Sequence, residues 1–394
     1  MKRGSINLPL HGGHAPPYLI TLMKELSSSI SKIIIQEQGT IEYFRKLSDP
    51  LWFQAFGCVL GFDWHSSGLT TVVTGVLKQA LSYEFHEISI TGGKGKNALL
   101  PKFEIPRLAE KNYNLSSQNI DKLVYASKMA AKVDNSAIQD GYDLYHHVFV
   151  FDKNSNWTII QQGLNKEHKM ARRYHWISDN LKSYLIEPHT GIISSERLDT
   201  VLDMTSKDSE ECRKTCLDLS KSGEKIIKRA VRQILRPSNQ SKLDLWLTEE
   251  KRLNFDTKYN SESTILEEYE MPRRLDWKIF DRIYDVKPQN YEELIKVKGV
   301  GAGAIRALSL IAELLYGTRA SWKDPVKFNY AHGGKDGVPY PIARKTYDKS
   351  IIYLSEVIKG SELDRKKRLS ALMRLSKYSN EIFRTNDYNF IRQG

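Results

Sequence analysis

Tyr142-Asp-Leu-Tyr-His-His-Val-Phe-Val-Phe151, the loop Asp152-Lys-Asn-Ser-Asn156 and Trp157-Thr-Ile-Ile-Gln-Gln162 together decide the fold class. Two runs rich in β-branched and aromatic residues flank a short loop of turn formers, the pattern of a β-hairpin. Around it the chain reads as helix. Tyr18 to Gln38 and Ile41 to Leu47 keep helical spacing and end at Asp49-Pro50. Residues 51–62 form a buried apolar segment, 69–81 a helix leaving the turn after it, and 119–135 a helix around Leu123, Ala126, Met129 and Ala130. Residues 209–236 read as a basic helix ending before Pro237, and 344–380 as a final basic helical segment. The expected fold is α+β and predominantly helical, with a mixed N-terminal domain that holds the β-hairpin and a helical C-terminal domain.

The hairpin strands belong to the densest polar stretch of the chain, Gln139 to His175. Adjacent strand residues point to opposite faces, so His146 and His147 separate, as do Gln161 and Gln162. A hairpin centred near residue 154 brings one His and one Gln side by side. Ala171-Arg-Arg-Tyr-His-Trp176 then interleaves cations with rings, a grouping suited to phosphates and stacked bases. From this stretch Asp140, His147, Gln162, Arg173 and His175 are the candidate catalytic residues. A second cluster, Asp63-Trp64-His65-Ser66-Ser67-Gly68, ends an apolar segment, and Asp63 with His65 offers an acid–base or metal-binding pair.

Residues 291–317 read as a helix, a turn and a second helix. Asn290 and Glu293 supply a capping box, Gly299 and Gly301 a tight turn, and Gly317 a stop. Backbone amides at such a turn and at the following helix start bind anions without a side chain. The stretch resembles the helix-hairpin-helix module, which grips a DNA backbone phosphate; this implies DNA contact through Lys298, Gly299, Val300, Gly301, Gly303 and Arg306. Gly92-Gly-Lys-Gly-Lys96 and Gly333-Gly-Lys-Asp-Gly337 are two further glycine-rich loops, neither with P-loop spacing. They offer Lys94, Lys96 and Lys335 as phosphate contacts.

The net charge of +12 over 394 residues points to a polyanionic partner. No apolar run is long enough to span a bilayer, which disfavours a membrane, and the N-terminus has no signal-peptide pattern. The three cysteines, Cys58, Cys212 and Cys216, lack disulfide or zinc spacing, so the expected location is the cytoplasm.

Over nearly its full length the chain resembles an uncharacterised prokaryotic family, common in archaea and catalogued only as a domain of unknown function. The resemblance rests on Leu8–Gly13, Gly57–Gly68, Gly92–Lys96, Gln161–Gly163 with Ala171–Trp176, and Ala331–Gly337. It implies no mechanism. The helix-hairpin-helix resemblance adds one alternative, a DNA glycosylase using Asp324, which follows the second helix of the hairpin. Trp322-Lys-Asp-Pro325 lacks the apolar strand usual before that Asp, and Ala302, Gly303 and Ala304 fill the stretch where the lyase branch carries its Lys.

The expected organisation is a mixed α/β catalytic domain over 1–200, a basic helix and linker over 201–270, and a nucleic-acid-binding helical domain over 271–394. The leading expectation is a DNA-processing enzyme of repair or recombination, a structure- or damage-specific nuclease in which Asp63 and Asp140 hold Mg or Mn. RNA is the alternative partner, and a non-enzymatic structure-specific DNA- or RNA-binding protein the alternative to an enzyme.

Overall fold

The computed structural model describes residues 17–62, 68–166, 170–194, 197–235, 270–272, 274–326, 328–329 and 344–390. Helices α1 (Pro17–Gln38), α2 (Thr40–Ser48), α3 (Pro50–Leu60), α4 (Gly68–Ala80) and α5 (Tyr83–His86) lead into β1 (Ile88–Lys94). After a 3-10 turn over Gly95–Leu99 come α6 (Pro101–Tyr113) and α7 (Ser117–Ser136). Strands β2 (Ile138–Gln139), β3 (Asp143–Asp152), β4 (Trp157–Asn165), β5 (Met170–Ile177), β6 (Gly191–Ser194) and β7 (Leu202–Asp203) follow. The chain continues through α8 (Glu210–Ser220), α9 (Gly223–Ile234), α10 (Lys278–Val286), α11 (Tyr291–Lys296), α12 (Ala302–Tyr316), β8 (Phe328–Asn329), α13 (Arg344–Gly360) and α14 (Arg365–Phe390).

The fold is mostly helical α+β, as the sequence implies. One sheet has the order β1-β3-β4-β5-β6-β8, antiparallel except for the β6–β8 pair, and β2 pairs with β7 apart from it. The expected β-hairpin is β3–β4. Asp152 makes its turn by accepting the N–H groups of Asn154 and Asn156, each at 2.9 Å.

Helices cover both faces of the sheet. Phe149, Phe151, Ile159 and Trp176 point to a core shared with Leu123, Ala126 and Ala130 of α7 and with Leu294, Ile305 and Leu308 of α11–α12. Val148, Val150, Ile160 and Ile177 point to the opposite core, shared with Leu26, Phe56 and Val73 of the N-terminal helices. Leu354, Ile358 and Leu375 of α13 and α14 join that second core, so the C-terminal helices return to the N-terminal layer. The first core in turn runs from Ile105 to Ala320, across the expected boundaries at 200 and 270.

Three differences from the sequence reading have local causes. The basic helix expected over 209–236 is broken into α8 and α9 at Gly223, whose φ is +74°. The segment 344–380 divides into α13 and α14, where Asp364 caps the second by accepting the Lys367 N–H at 2.9 Å. Strand β5 carries Arg172, Arg173 and His175, polar residues that hide its strand character, yet every one of its residues is buried. The linker expected over 237–270 lies outside the described residues except for Glu270.

Gly92 marks the tightest approach in the sheet. Its φ is +83°, and a Cβ there would sit 2.1 Å from the His147 carbonyl oxygen, which is backbone and has no room to yield. Gly75 in α4 has open space around its Cβ position. Gly75→Ala is therefore expected to raise stability by up to about 1 kcal/mol through helix propensity. Gly92→Ala should lower the thermal midpoint or prevent folding. Thermal melts of the two variants beside the parent check the contrast.

Candidate nucleic-acid interface

The expected capping box forms in part at the start of α11, with its return bond made to the residue before the N-cap. Asn290 Oδ1 accepts the Glu293 N–H at 2.8 Å, and Glu293 reaches back to the Gln289 N–H at 2.8 Å. Leu294, Ile295, Val297 and Val300 are buried, which turns Lys298 and Gly299 outward as the exposed tip. Gly299 has φ +98°, and a Cβ on it would meet Arg282 Nη1 at 2.7 Å. Gly301 is extended, with φ −140°, and is the N-cap of α12 without a side-chain cap. The amides of Ala302 and Gly303 thus have no acceptor within their own helix.

Cations surround this turn. Arg282 Nη1 donates to the Lys298 carbonyl at 2.6 Å, and Lys132 Nζ donates to the Val300 carbonyl. Lys296 lies 4.7 Å above the Tyr125 ring. Exposed Lys128 sits one turn before Lys132 on α7. Burial, reinforced by Lys128, lowers the Lys132 pKa. Lys128, Lys132 and Arg282 carry no motif in the sequence; tertiary packing alone brings them to the tip. Arg306, expected at the phosphate, turns instead to the Glu270 carbonyl at 3.0 Å and lies over the Trp322 ring at 5.4 Å. Gly303 faces Leu275 and Pro272 at ordinary contact distance.

Lys94 and Lys96 are exposed on the glycine-rich loop after β1. The loop is pinned, since Glu104 accepts the Gly92 N–H at 2.6 Å and Lys78 bridges Glu104 (2.9 Å) and the Gly92 carbonyl (2.8 Å). Lys335, Asp63 and His65 lie outside the described residues.

The remaining candidates are divided by the sheet. In the β3–β4–β5 register His147 lies opposite Gln161, and Gln161 opposite Tyr174, while His146 lies opposite Gln162, and Gln162 opposite Arg173. His147 therefore faces one core, and Gln162, Arg173 and His175 face the other. Strand parity thus separates His147 from the other three candidates.

On the α7 side, His147 bonds Gln161 Oε1 at 2.7 Å and Ser127 Oγ at 2.8 Å. Gln161 Nε2 donates to Asp134 Oδ2 at 2.5 Å, and Asp134 also receives Trp176 Nε1 at 3.0 Å and His189 Nε2 at 2.6 Å. On the α3–α4 side, Arg173 donates to His175 Nε2 at 2.8 Å and to Gln54 Oε1 at 3.0 Å, with its guanidinium 4.7 Å above the Phe53 ring. Gln162 donates to the Tyr145 hydroxyl at 2.6 Å.

Asp140 and Asp324 meet on Arg172, which donates to Asp140 at 3.0 Å and to both oxygens of Asp324 at 3.0 and 2.8 Å. Asp140 further accepts from Tyr174 Oη at 2.7 Å and from the Tyr142 N–H at 3.1 Å. Asp324 further accepts the N–H groups of Leu198 at 2.7 Å and Val326 at 3.0 Å. Those four bonds fill its lone pairs. Burial raises the Asp140 pKa against the pull of Arg172, whereas the two carboxylates outweigh burial at Arg172 and hold it charged. Among the described residues no group of three or more His, Cys, Asp or Glu is placed to hold a metal.

Three sheet histidines are held neutral. Burial depresses His146 to about 3, aided by His147 and Lys94. It also lowers His147, and it lowers His175 further, with Arg173 adding to the effect. Because these values lie below the ordinary unfolded value, the unfolded chain binds more protons at acid pH. The stability they confer is complete above about pH 6.5 and declines as pH falls, each site contributing up to about 1.4 kcal/mol per pH unit. Urea unfolding between pH 7 and pH 4.5 should show this slope, and His146→Gln should reduce it by one site's share. Parallel curves for parent and variant would contradict the assignment.

Among the described residues no helix is long and apolar enough to cross a membrane. No curated protein and no solved structure matches the chain. Residues 4–342 match the family model described as "Protein of unknown function (DUF763)", and the chain belongs to that family.

Proposed function

We propose that this protein binds the sugar–phosphate backbone of duplex DNA through the α11–α12 hairpin. The observation that carries the reading is the exposed Lys298-Gly299 tip, with the uncapped start of α12 behind it and Lys128, Lys132, Arg282 and Lys296 around it. Free amides and the helix dipole favour an anion at the tip, and the ring of cations extends that preference over neighbouring phosphates. The net charge of +12 has the same sign.

A reaction centre built from Asp140 and Asp324 gains little from the geometry, because both carboxylates already neutralise Arg172 inside the protein. A metal-assisted cleavage role for the protein then rests on Asp63 and His65. Support for the described residues is greater for binding than for hydrolysis, and RNA remains the competing polymer for the same phosphate-reading surface.

Gly299→Ala should weaken duplex binding about equally on unrelated sequences, because phosphate contacts carry no sequence information. Gly301→Ala, at an extended φ with nothing within 4 Å of its Cβ position, should have a much smaller effect. Four to six phosphate contacts would give the parent a slope of log affinity against log salt of roughly −4 to −5. Fluorescence anisotropy on two duplexes of different sequence measures all three. A folded Gly299→Ala variant with parental affinity, or a flat salt slope, would remove the hairpin from the mechanism.

A further inference from the structure

A second surface carries both cations and rings. Leu99, closing the 3-10 turn after β1, is 70% exposed, and Phe103 in the first turn of α6 is 65% exposed. Single exposed apolar side chains are ordinary, but these two lie within one turn of each other. Exposed Lys102 and Arg107 lie beside Phe103 along α6, and exposed Lys94 and Lys96 precede Leu99 on the same loop. Lys102 Nζ lies 4.8 Å from the centre of the Phe103 ring, and Lys94 Nζ lies 6.0 Å from that of Tyr145. Of the nearby acids, Glu104 is occupied by Lys78 and the Gly92 N–H, while Glu110 is exposed further along α6. Glu104 directly follows Phe103, so the contacts that fix the glycine loop also fix the backbone under the ring.

The topology puts this surface at the same end of the molecule as the hairpin. Helices α6 and α7, joined by residues 114–116, pack against each other as a pair, which sets the start of α6 beside the C-terminal half of α7. The end of α7 holds the hairpin: Lys132 bonds the Val300 carbonyl, and Gln139, just beyond, donates to the Ala302 carbonyl at 2.9 Å. The glycine loop reaches the same end, since Lys94 pairs with His146 near the start of β3 and Asn135 accepts the Leu144 N–H.

We infer that Phe103 and Leu99, with Lys94, Lys96, Lys102 and Arg107, form a stacking platform for unpaired nucleic-acid bases. Complementary charge holds the phosphates, and the flat exposed ring takes a base that a blunt duplex keeps stacked within itself. This rests on the nucleic-acid reading above and deepens it: the preferred substrate has a single-stranded segment next to a duplex.

The test measures the full chain on three labelled probes: an oligothymidine, a blunt duplex of equal length, and a tailed duplex carrying 2-aminopurine in its single strand. Phe103→Ala should weaken oligothymidine binding about tenfold, the order of one lost base–aromatic contact, and leave blunt-duplex affinity within about twofold. The parent should quench 2-aminopurine fluorescence on binding, Phe103→Ala should not, and Phe103→Trp should restore the quench. Lys96→Glu should weaken oligothymidine binding while the quench of the bound fraction persists. A thermal midpoint equal to the parent's shows that each variant is folded. Parental oligothymidine affinity and quench in folded Phe103→Ala would overturn the platform and assign the exposed ring to a protein partner. A parent that binds duplex but not oligothymidine overturns the platform alone, whereas a parent that binds neither overturns the hairpin reading as well.

Discussion

The position of the hairpin depends on one buried charge arrangement, Arg172 between Asp140 and Asp324. The Arg172 and Asp324 side chains are fully buried and that of Asp140 is 1% exposed, so all three charges have left water. Such an arrangement is expensive to desolvate, and removing one partner typically costs about 3–5 kcal/mol. What it fixes is geometry. Asp140 follows β2, Arg172 is on β5, and Asp324 follows α12, so one guanidinium joins three remote segments. The chain after α12 is further stitched to β7 and the residue before it, since Val201 and Asp203 donate to the carbonyls of Trp322 and Ser321 at 3.0 and 2.8 Å. With its far end anchored in this way, and its start held by Gln139, α12 has one direction available to it. The exposed tip inherits that direction.

A sheet covered on both faces imposes a second constraint. Polar side chains within it have no water to turn to, so each needs a protein partner or carries a penalty. That requirement explains the two bonded networks, Ser127–His147–Gln161–Asp134–His189 on one face and Gln54–Arg173–His175 on the other. A slip of one residue between β3 and β4 would put His147 and Gln161 on opposite faces and break the bond that joins them. Apolar neighbours such as Val148 and Phe149 tolerate such an exchange more readily, because both faces are apolar. The polar residues therefore define the register that the apolar ones leave loose. His146 Nδ1 and Arg172 Nε are exceptions, buried without a hydrogen-bond partner.

The sequence carried much of this architecture in local signals. Alternation and a turn-forming loop mark β3–β4, helical spacing marks α7, and Asn290 with Glu293 marks the start of α11. Parity within a strand was also legible, since neighbouring residues must oppose. Parity between strands is not, because it depends on the hydrogen-bond register, and nothing local in the sequence separates His147 from Gln162, Arg173 and His175. Strand β5 was hidden by its own charges, whose neutralising partners are distant: Asp324 lies 152 residues from Arg172. A subtler signal was present on α7. Ser127 and Asp134 lie in the buried stripe with Leu123, Ala126, Ala130 and Val133, and polar residues in such a stripe imply partners across the interface.

That helix also explains how the buried chemistry and the basic surface are connected. On α7, Ser127 and Asp134 face the sheet, where they bond His147 and, through Asp134, Gln161, Trp176 and His189. Lys132 and Tyr125 face the hairpin, contacting the Val300 carbonyl and Glu292. Close packing makes an interior stiff, so a rotation of α7 that relieved one side would disturb the other. The sheet-facing bonds hold the helix at a single angle about its axis, and that angle sets where Lys128 and Lys132 stand relative to the tip. Under the proposed DNA-binding function, the dense polar stretch from Gln139 to His175 need not touch nucleic acid to matter for binding. It would act through the orientation of one helix, which places the cations in advance of a phosphate.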